Sequence, residues 1–272
     1  MIYRGVGPTL TLPPAEQGIY EYSATQKFEL GTKFWYGERC FKYARTGATM
    51  TLNDRLAYTH PFQVSSSQTI AAAATAGATS LSLTIGTGEG VGGDGAVAAD
   101  ELIGAWLTVM KADAAGTDWA DMITVMIVSN TVVAAGGGTM TVEIDNPIQR
   151  LLTATAVTDI TSNLYRDVRI PNGSQCASRM VVGKPMSMAT TTYPYFWLQT
   201  WGPFTASCSL VGEDAVGGTP TDQTVAVVGN GSLVCINDAT EDAESCQRVG
   251  VVVTRLEAET QGTPLLYMQI SC

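Results

Sequence analysis

Imidazole chemistry has one candidate in this chain of 272 residues. The only histidine is His60, which directly precedes Pro61. A catalytic triad needs a base beside a nucleophile and an orienting acid, and a zinc site usually needs two or more His or Cys at motif spacing. A lone histidine beside a proline is more often a loop or capping residue. The sequence therefore predicts neither imidazole catalysis nor a metal centre.

A second group with chemical potential is the glycine-rich acidic segment that contains Glu89, Asp94, Asp100 and Glu101. Clustered oxygens on a loop suit Ca²⁺, but this segment lacks the alternating acid spacing of an EF-hand loop. It also lacks the Lys-Ser/Thr ending of a phosphate-binding P-loop. We expect a solvated hairpin loop that binds no cofactor.

Paired carboxylates beside aromatic residues are the pattern of a glycosidase site. Glu213 and Asp214 follow Tyr195, Trp197 and Trp201 in the sequence and provide one such pair. Strand alternation would place the three aromatic residues on one face, which a buried core or a subunit interface also requires. We favour core or interface, and we expect no enzymatic activity.

Two aromatic blocks, residues 28–51 and 193–204, suggest how these side chains are positioned. Each is rich in aromatic residues and is interrupted by Gly or Pro, which indicates strands and turns. The first block predicts a hairpin over Gly31–Thr51 with a turn at Gly37–Glu38. The second predicts separate strands at Tyr195–Trp201 and Phe204–Leu210.

The remaining chain also shows the spacing of β-structure. We predict an all-β fold, with an antiparallel β-sandwich/barrel body, an extended N-terminal arm and an inserted or second small β lobe. The arm covers residues 1–30, and residues 31–75 form the hairpin and a short helical connector, strongest at Ser67–Ala76. The small β lobe covers residues 76–150, and the C-terminal β-sandwich/barrel domain covers residues 151–272.

The composition limits the classes of partner. Charged residues make up only 15% of the chain, and its net charge is −10. A body this acidic would repel phosphates, so we expect no nucleic-acid partner. The low charge content favours self-association, because a free monomer would expose large apolar patches. We also expect no membrane partner, since the sequence has no apolar run of about 18 residues.

Six cysteines are widely spaced and form no C-x-x-C pair. Six in 272 residues are too few for a disulfide scaffold, so buried thiols formed in a reducing cytosol are favoured. Pairing of Cys235 with Cys246 remains an open alternative. The first 15 residues lack the basic start and apolar core of a signal peptide.

Three segments carry a family resemblance: ELGTKFWYGERCFKYARTGA at Glu29–Ala48, AAAATAGATSLSLTIGT at Ala71–Thr87, and YFWLQTWGP at Tyr195–Pro203. In these segments the chain resembles the capsid decoration (cement) proteins of tailed bacteriophages of the marine type. The resemblance implies a non-enzymatic virion protein that is made in the host cytoplasm and binds the outer capsid surface. The implied partners are the major capsid protein and further copies of this chain, with a trimer favoured.

Aromatic residues of the arm and of the second block are the candidates for capsid or subunit contact. These candidates are Tyr3, Arg4, Tyr20, Tyr22, Phe28, Trp197 and Trp201. An alternative function is a head-fibre or tail component that binds a host receptor or glycan through an exposed Trp197/Trp201 block.

Overall fold

The structure is a computed structural model that describes residues 16–51, 54–60, 63–90, 93–112, 119–171, 179–208, 224–227, 231–235, 247–254 and 264–271. Within these ranges the chain forms sixteen β-strands and no helix. Every pairing between the named strands is antiparallel. The predicted all-β fold class is confirmed.

The chain folds into two compact units, each with its own curled sheet. Unit 1 comprises Met1–His60 and Leu164–Cys272, and unit 2 comprises Pro61–Asn163. The strands of unit 1 are β1 (Lys33–Tyr36), β2 (Arg39–Arg45), β3 (Ala57–Thr59), β10 (Val168–Arg169), β11 (Val181–Pro185), β12 (Tyr195–Phe204), β13 (Thr224–Val227), β14 (Leu233–Cys235), β15 (Arg248–Val252) and β16 (Leu266–Gln269). The strands of unit 2 are β4 (Gln63–Thr69), β5 (Ser80–Ile85), β6 (Trp106–Ala112), β7 (Trp119–Asn130), β8 (Gly138–Ile144) and β9 (Val157–Thr161).

The sheet of unit 2 has the order β4-β9-β6-β7-β8-β5. An isolated bridge between Ile70 and Leu83 brings together its two end strands, β4 and β5. Alternation fills the interior, because Leu81, Leu83 and Ile85 of β5 are buried while the serines and threonine between them are not. The unit is wider than the predicted lobe of residues 76–150, since β4 and β9 belong to the same sheet.

The predicted helix at Ser67–Ala76 is wrong. Residues 67–69 are the end of β4, and the backbone that follows bonds to distant segments. Ile70 N–H donates to Ala156 O, and Ala74 N–H donates to Leu152 O. An isolated helix this short is marginal in water even when it is rich in alanine. Pairing with neighbouring strands satisfies the same backbone groups and buries Ile70.

The sheet of unit 1 is organised around the ten-residue strand β12. Its first part pairs with β2 over Tyr195–Trp201, and its last part pairs with β16 over Trp201–Phe204. Gly202 makes this change of partner possible with φ of 91°, where a Cβ atom would lie 2.3 Å from Glu38 O. The two strands predicted here are therefore one strand, which continues through Gly202-Pro203 to Phe204.

Both faces of β12 are covered. Phe196 and Leu198 pack with Ala44 and Val168 in one cluster, whereas Trp197 packs in another. The hairpin of β1 and β2 supplies much of this second cluster, and the predicted turn at Gly37 is confirmed, with φ of 59°. Strand β12 thus carries core residues on both of its faces.

Candidate functional site

Residues 16–30, which we call the strap, contain no named strand and lie on the face of β2 and β12. Gln17 holds the strap in place and is only 5% exposed. Its amide nitrogen donates to Glu21 O and to Tyr195 O, at 3.0 Å each. Its amide oxygen accepts from the Tyr43 hydroxyl at 2.7 Å. An antiparallel bridge between Ser23 and Tyr195 adds a second attachment.

The strap covers a cluster of packed aromatic rings. Phe28 lies edge-on to Tyr43, with ring centroids 5.2 Å apart, and 5.3 Å from Trp197. The indole nitrogen of Trp197 donates to Gln17 O at 3.3 Å. Burial raises the pKa of the Tyr43 hydroxyl to about 12, although the Lys27 backbone N–H that it accepts acts in the opposite direction. The cluster is therefore a core with satisfied polar groups.

Two of the predicted contact residues, Phe28 and Trp197, belong to this cluster. Trp197 is 3% exposed and has no ring face to offer another protein. Phe28 is half-buried and belongs to the same cluster. Both residues hold the strap on unit 1. Tyr3 and Arg4 lie outside the described residues.

Trp201 does not lie beside Trp197. A register shift between Gln199 and Trp201 interrupts the alternation on which the prediction relied. The indole of Trp201 instead packs edge-on against Tyr267, at 5.9 Å between centroids, and donates to the Tyr267 hydroxyl at 3.1 Å. Trp197 and Trp201 therefore do not form the common sugar-stacking surface that the glycosidase hypothesis requires. Glu213 and Asp214 lie outside the described residues.

Three exposed tyrosines form what we call the tyrosine surface: Tyr20, Tyr22 and Tyr193. They are 60%, 50% and 46% exposed. The rings of Tyr22 and Tyr193 lie 5.7 Å apart and are tilted by 52°. Arg39 donates a long hydrogen bond, 3.4 Å, to the Tyr20 hydroxyl. Sequence reasoning named Tyr20 and Tyr22 but missed Tyr193, which reaches Tyr22 because Ser23 pairs with Tyr195.

His60 lies next to an ion pair. The Asp167 carboxylate accepts from Nε and Nη2 of Arg169 at 2.8 Å each, and this hydrogen bonding raises the pKa of Arg169. His60 Nδ1 is 3.7 Å from the nearer Asp167 oxygen, which is longer than a hydrogen bond. The backbone N–H of His60 donates to Asp167 O. Since Asp167 is held by Arg169, the group has the geometry of a structural ion pair.

In the acidic segment of unit 2, the carboxylates of Glu89 and Asp94 accept hydrogen bonds from nearby groups of the same unit. Glu89 accepts from the N–H groups of Ser66 and Gly86, at 2.8 and 2.7 Å, and from the Gln68 amide at 3.1 Å. The Asp94 carboxylate accepts from Ala96 N–H at 3.0 Å. Carboxylates held in this way organise turns, so the Ca²⁺ hypothesis gains no support from them.

Burial lowers the pKa of Lys184, which lies in β11. The negative charge of Asp54 acts in the opposite direction. The ammonium donates to Thr205 O at 2.5 Å. This contact connects β11 to the residue that follows β12, which is a structural role.

Metal-ligating side chains do not gather in the part of the chain that the structure describes: groups of three or more His, Cys, Asp or Glu are absent there. Cys40 is a buried thiol, and the Cys208 thiol donates to Ala206 O at 3.1 Å. Across the described ranges, no helix is long and apolar enough to cross a membrane.

Comparison of the chain with family models, with curated proteins and with solved structures gave no match.

Proposed function

We propose that this chain is a non-enzymatic virion structural protein, which binds the outer surface of a phage capsid and stabilises the shell. The observation that carries the proposal is the tyrosine surface, where three large rings are exposed on a firmly anchored support. Tyrosine is enriched in protein interfaces, because its ring buries apolar area while its hydroxyl keeps a polar partner. The family resemblance of the sequence supplies the capsid as the partner.

The anchoring of the strap supports a binding role. Binding through a mobile segment is weaker, because ordering the segment costs part of the binding free energy. Gln17 and the Ser23–Tyr195 bridge fix Tyr22 before any partner arrives. Repetition of one such contact over a lattice then resists internal pressure without chemistry, since many moderate contacts act together.

Binding of the purified chain to shells that lack it tests the proposal. The test variant combines Tyr22→Ser and Tyr193→Ser, and the control is Val253→Ser, which removes a side chain of similar exposure, 52%, elsewhere on unit 1. Truncating an interface tyrosine often costs about 2 kcal/mol, so we expect the double variant to bind about 30-fold more weakly or worse. Equal binding by the variant and the control would refute the tyrosine surface as the contact.

A head-fibre or tail component that binds a host receptor or glycan is the second candidate. The exposed Tyr22–Tyr193 pair favours it, because tilted aromatic rings also stack on sugars. The Trp197/Trp201 block does not support it, since Trp197 is buried.

Copy number separates the two candidates. Quantitative mass spectrometry of purified particles gives the ratio of this chain to the major capsid protein. We expect a ratio near one or a simple fraction of it, as decoration of a lattice requires. A few copies per particle would overturn decoration in favour of the fibre or tail function.

A further inference from the structure

Arg39, the first residue of β2, contacts the tyrosine surface and leaves most of its hydrogen-bonding capacity unused. Its side chain is half-buried, and Nη1 donates to the Tyr20 hydroxyl at 3.4 Å. Within the residues that the structure describes, this is its one side-chain hydrogen bond, and no carboxylate pairs with it. A guanidinium has five N–H donors. Four of the five donors of Arg39 therefore have no partner among the described residues.

Aromatic rings flank the Arg39 guanidinium. Its Cζ lies 5.3 Å from the centroid of the Phe41 ring, which is fully buried. Across the hairpin, Arg39 is the direct partner of Tyr36, whose side chain is exposed. Directly opposite residues share one face of a sheet, as do residues two apart along a strand, so Tyr36, Arg39 and Phe41 lie on the same face. An arginine stacked on a buried ring is pre-organised and loses little freedom when it binds a partner.

Arg169 of the same unit shows the ligand that suits such a group. Nε and Nη2 of Arg169 donate to the two oxygens of the Asp167 carboxylate at 2.8 Å each. The planar fork of a guanidinium matches the two oxygens of a carboxylate, which makes this pair both strong and directional. Arg39 has the same fork, and no acid in the described part of the chain occupies it.

The hairpin that carries Arg39 is basic, in contrast with the chain as a whole. Residues 33–45 contain four Lys or Arg and one Glu, which gives a net charge of +3, whereas the whole chain carries −10. A carboxylate of a partner is attracted to this hairpin and meets net like charge over the remaining chain. A nucleic acid fits less well, because its phosphates continue past the hairpin onto acidic surroundings. The local charge therefore favours one acidic group over a polyanion.

We propose that Arg39 binds an Asp or Glu side chain of the protein that contacts the tyrosine surface. The fork of Arg39 takes the two carboxylate oxygens, and the exposed rings of Tyr20 and Tyr36 lie beside the ion pair. A partner without an acid at this place would desolvate Arg39 with no compensating bond, so the pair selects the partner. This inference rests on the proposed function, because it names the chemistry of the partner at that same contact.

Titration of the full chain with sodium propionate, which carries the carboxylate and alkyl stem of a glutamate side chain, tests the fork by itself. We expect the Nε–H resonance of Arg39 to shift and to saturate with a dissociation constant on the order of 10 to 100 mM, as hydrogen bonds to a charged group provide. The resonance is assigned by its absence from Arg39→Lys. Arg169 is the matched control, because Asp167 already fills its fork. No saturable shift at Arg39, or equal shifts at both arginines, would overturn the proposal.

Binding to shells that lack the chain tests the partner. We expect Arg39→Gln to bind about tenfold more weakly than the wild type, because the partner's carboxylate loses its cation. Raising the ionic strength from about 0.01 to about 0.15 M should weaken the wild type more than Arg39→Gln. The matched control is Lys33→Gln, which removes the same charge from an exposed position on the opposite face of the hairpin and should have a small effect.

The variants separate this inference from the proposed function. If the Tyr22→Ser, Tyr193→Ser double variant binds weakly while Arg39→Gln binds as well as Lys33→Gln, the acidic partner group is overturned and the tyrosine surface stands. If the double variant also binds as well as its Val253→Ser control, the proposed contact itself fails. Saturable binding of polygalacturonate that requires Arg39, together with shell binding that does not, would overturn the protein partner in favour of an acidic glycan.

Discussion

Replacing Gln17 with alanine removes the attachment of the strap with one change. The substitution deletes two hydrogen bonds from the amide nitrogen and leaves the Tyr43 hydroxyl without its acceptor in a buried site. The carbonyls of Glu21 and Tyr195 keep other donors, from Ser187 Oγ and Ser23 N–H, so they are not left bare. The hydroxyl left without an acceptor costs about 1–3 kcal/mol and each of the two lost bonds about 0.5–1.5 kcal/mol, so docking of the strap is weakened by roughly 2–6 kcal/mol.

Limited trypsin digestion measures this loss directly. Lys27 is an exposed residue within the strap, and cleavage after it requires the strap to leave the sheet. When opening is fast relative to cleavage, the cleavage rate follows the population of the open state. A loss of 2 kcal/mol or more corresponds to a rate increase of about 30-fold or more. The matched control is Gln26→Ala, the same truncation at an exposed position of the same segment.

The control decides the interpretation. If Gln17→Ala and Gln26→Ala are cleaved at the same rate, the hydrogen bonds of Gln17 do not hold the strap, and the argument for a fixed tyrosine surface fails. If Gln17→Ala is cleaved quickly while the denaturant midpoint of the whole chain hardly changes, the strap opens as a local unit.

Two further predictions concern titration and the acidic segment. Burial raises the pKa of Tyr43 to about 12, so the folded state favours the neutral phenol over the phenolate. The contribution of the neutral Tyr43 to the free energy of unfolding is complete below about pH 10 and is lost as the pH rises through 12. We expect the urea midpoint of Tyr43→Phe to fall less between pH 9 and pH 11 than that of the wild type, and an equal fall would contradict this. Glu89→Gln keeps one of two acceptor oxygens and should lower stability by about 1–3 kcal/mol. The thermal unfolding midpoint of Glu89→Gln should lie below that of the control variant Glu143→Gln, which changes an exposed residue of β8. Equal midpoints would show that the hydrogen bonds of Glu89 do not stabilise the fold.

Local patterns in the sequence predicted the strands well where neighbours along the chain decide the structure. Leu81, Leu83 and Ile85 alternate with small polar residues, and β5 forms with these three side chains inside. The turn at Gly37 needs a positive φ that glycine adopts without strain, so the hairpin of β1 and β2 was also predictable. In both cases the signal and its structural consequence lie within ten residues of each other.

Contacts between distant segments were not predictable in the same way. Gln17 bonds to a carbonyl 178 residues away, and nothing near Gln17 in the sequence indicates that its amide is buried. The Ile70–Leu83 bridge, which brings β4 to β5, likewise requires the curl of a whole sheet. Helix propensity favours a helix in the alanine-rich stretch around Ala74, because propensity takes no account of these distant partners.

Trp197 and Tyr22 show that aromatic content alone does not distinguish buried residues from exposed ones. Trp197 lies between Phe196 and Leu198, so both faces of its strand are apolar and both must be covered. Tyr22 follows Glu21 and precedes Ser23, and its segment contributes no strand that would bury it. An aromatic residue flanked by apolar neighbours in a strand therefore indicates core. One flanked by polar neighbours on an anchored segment indicates an exposed ring, which makes Tyr22, rather than Trp197, the residue to substitute first when the proposed contact is tested.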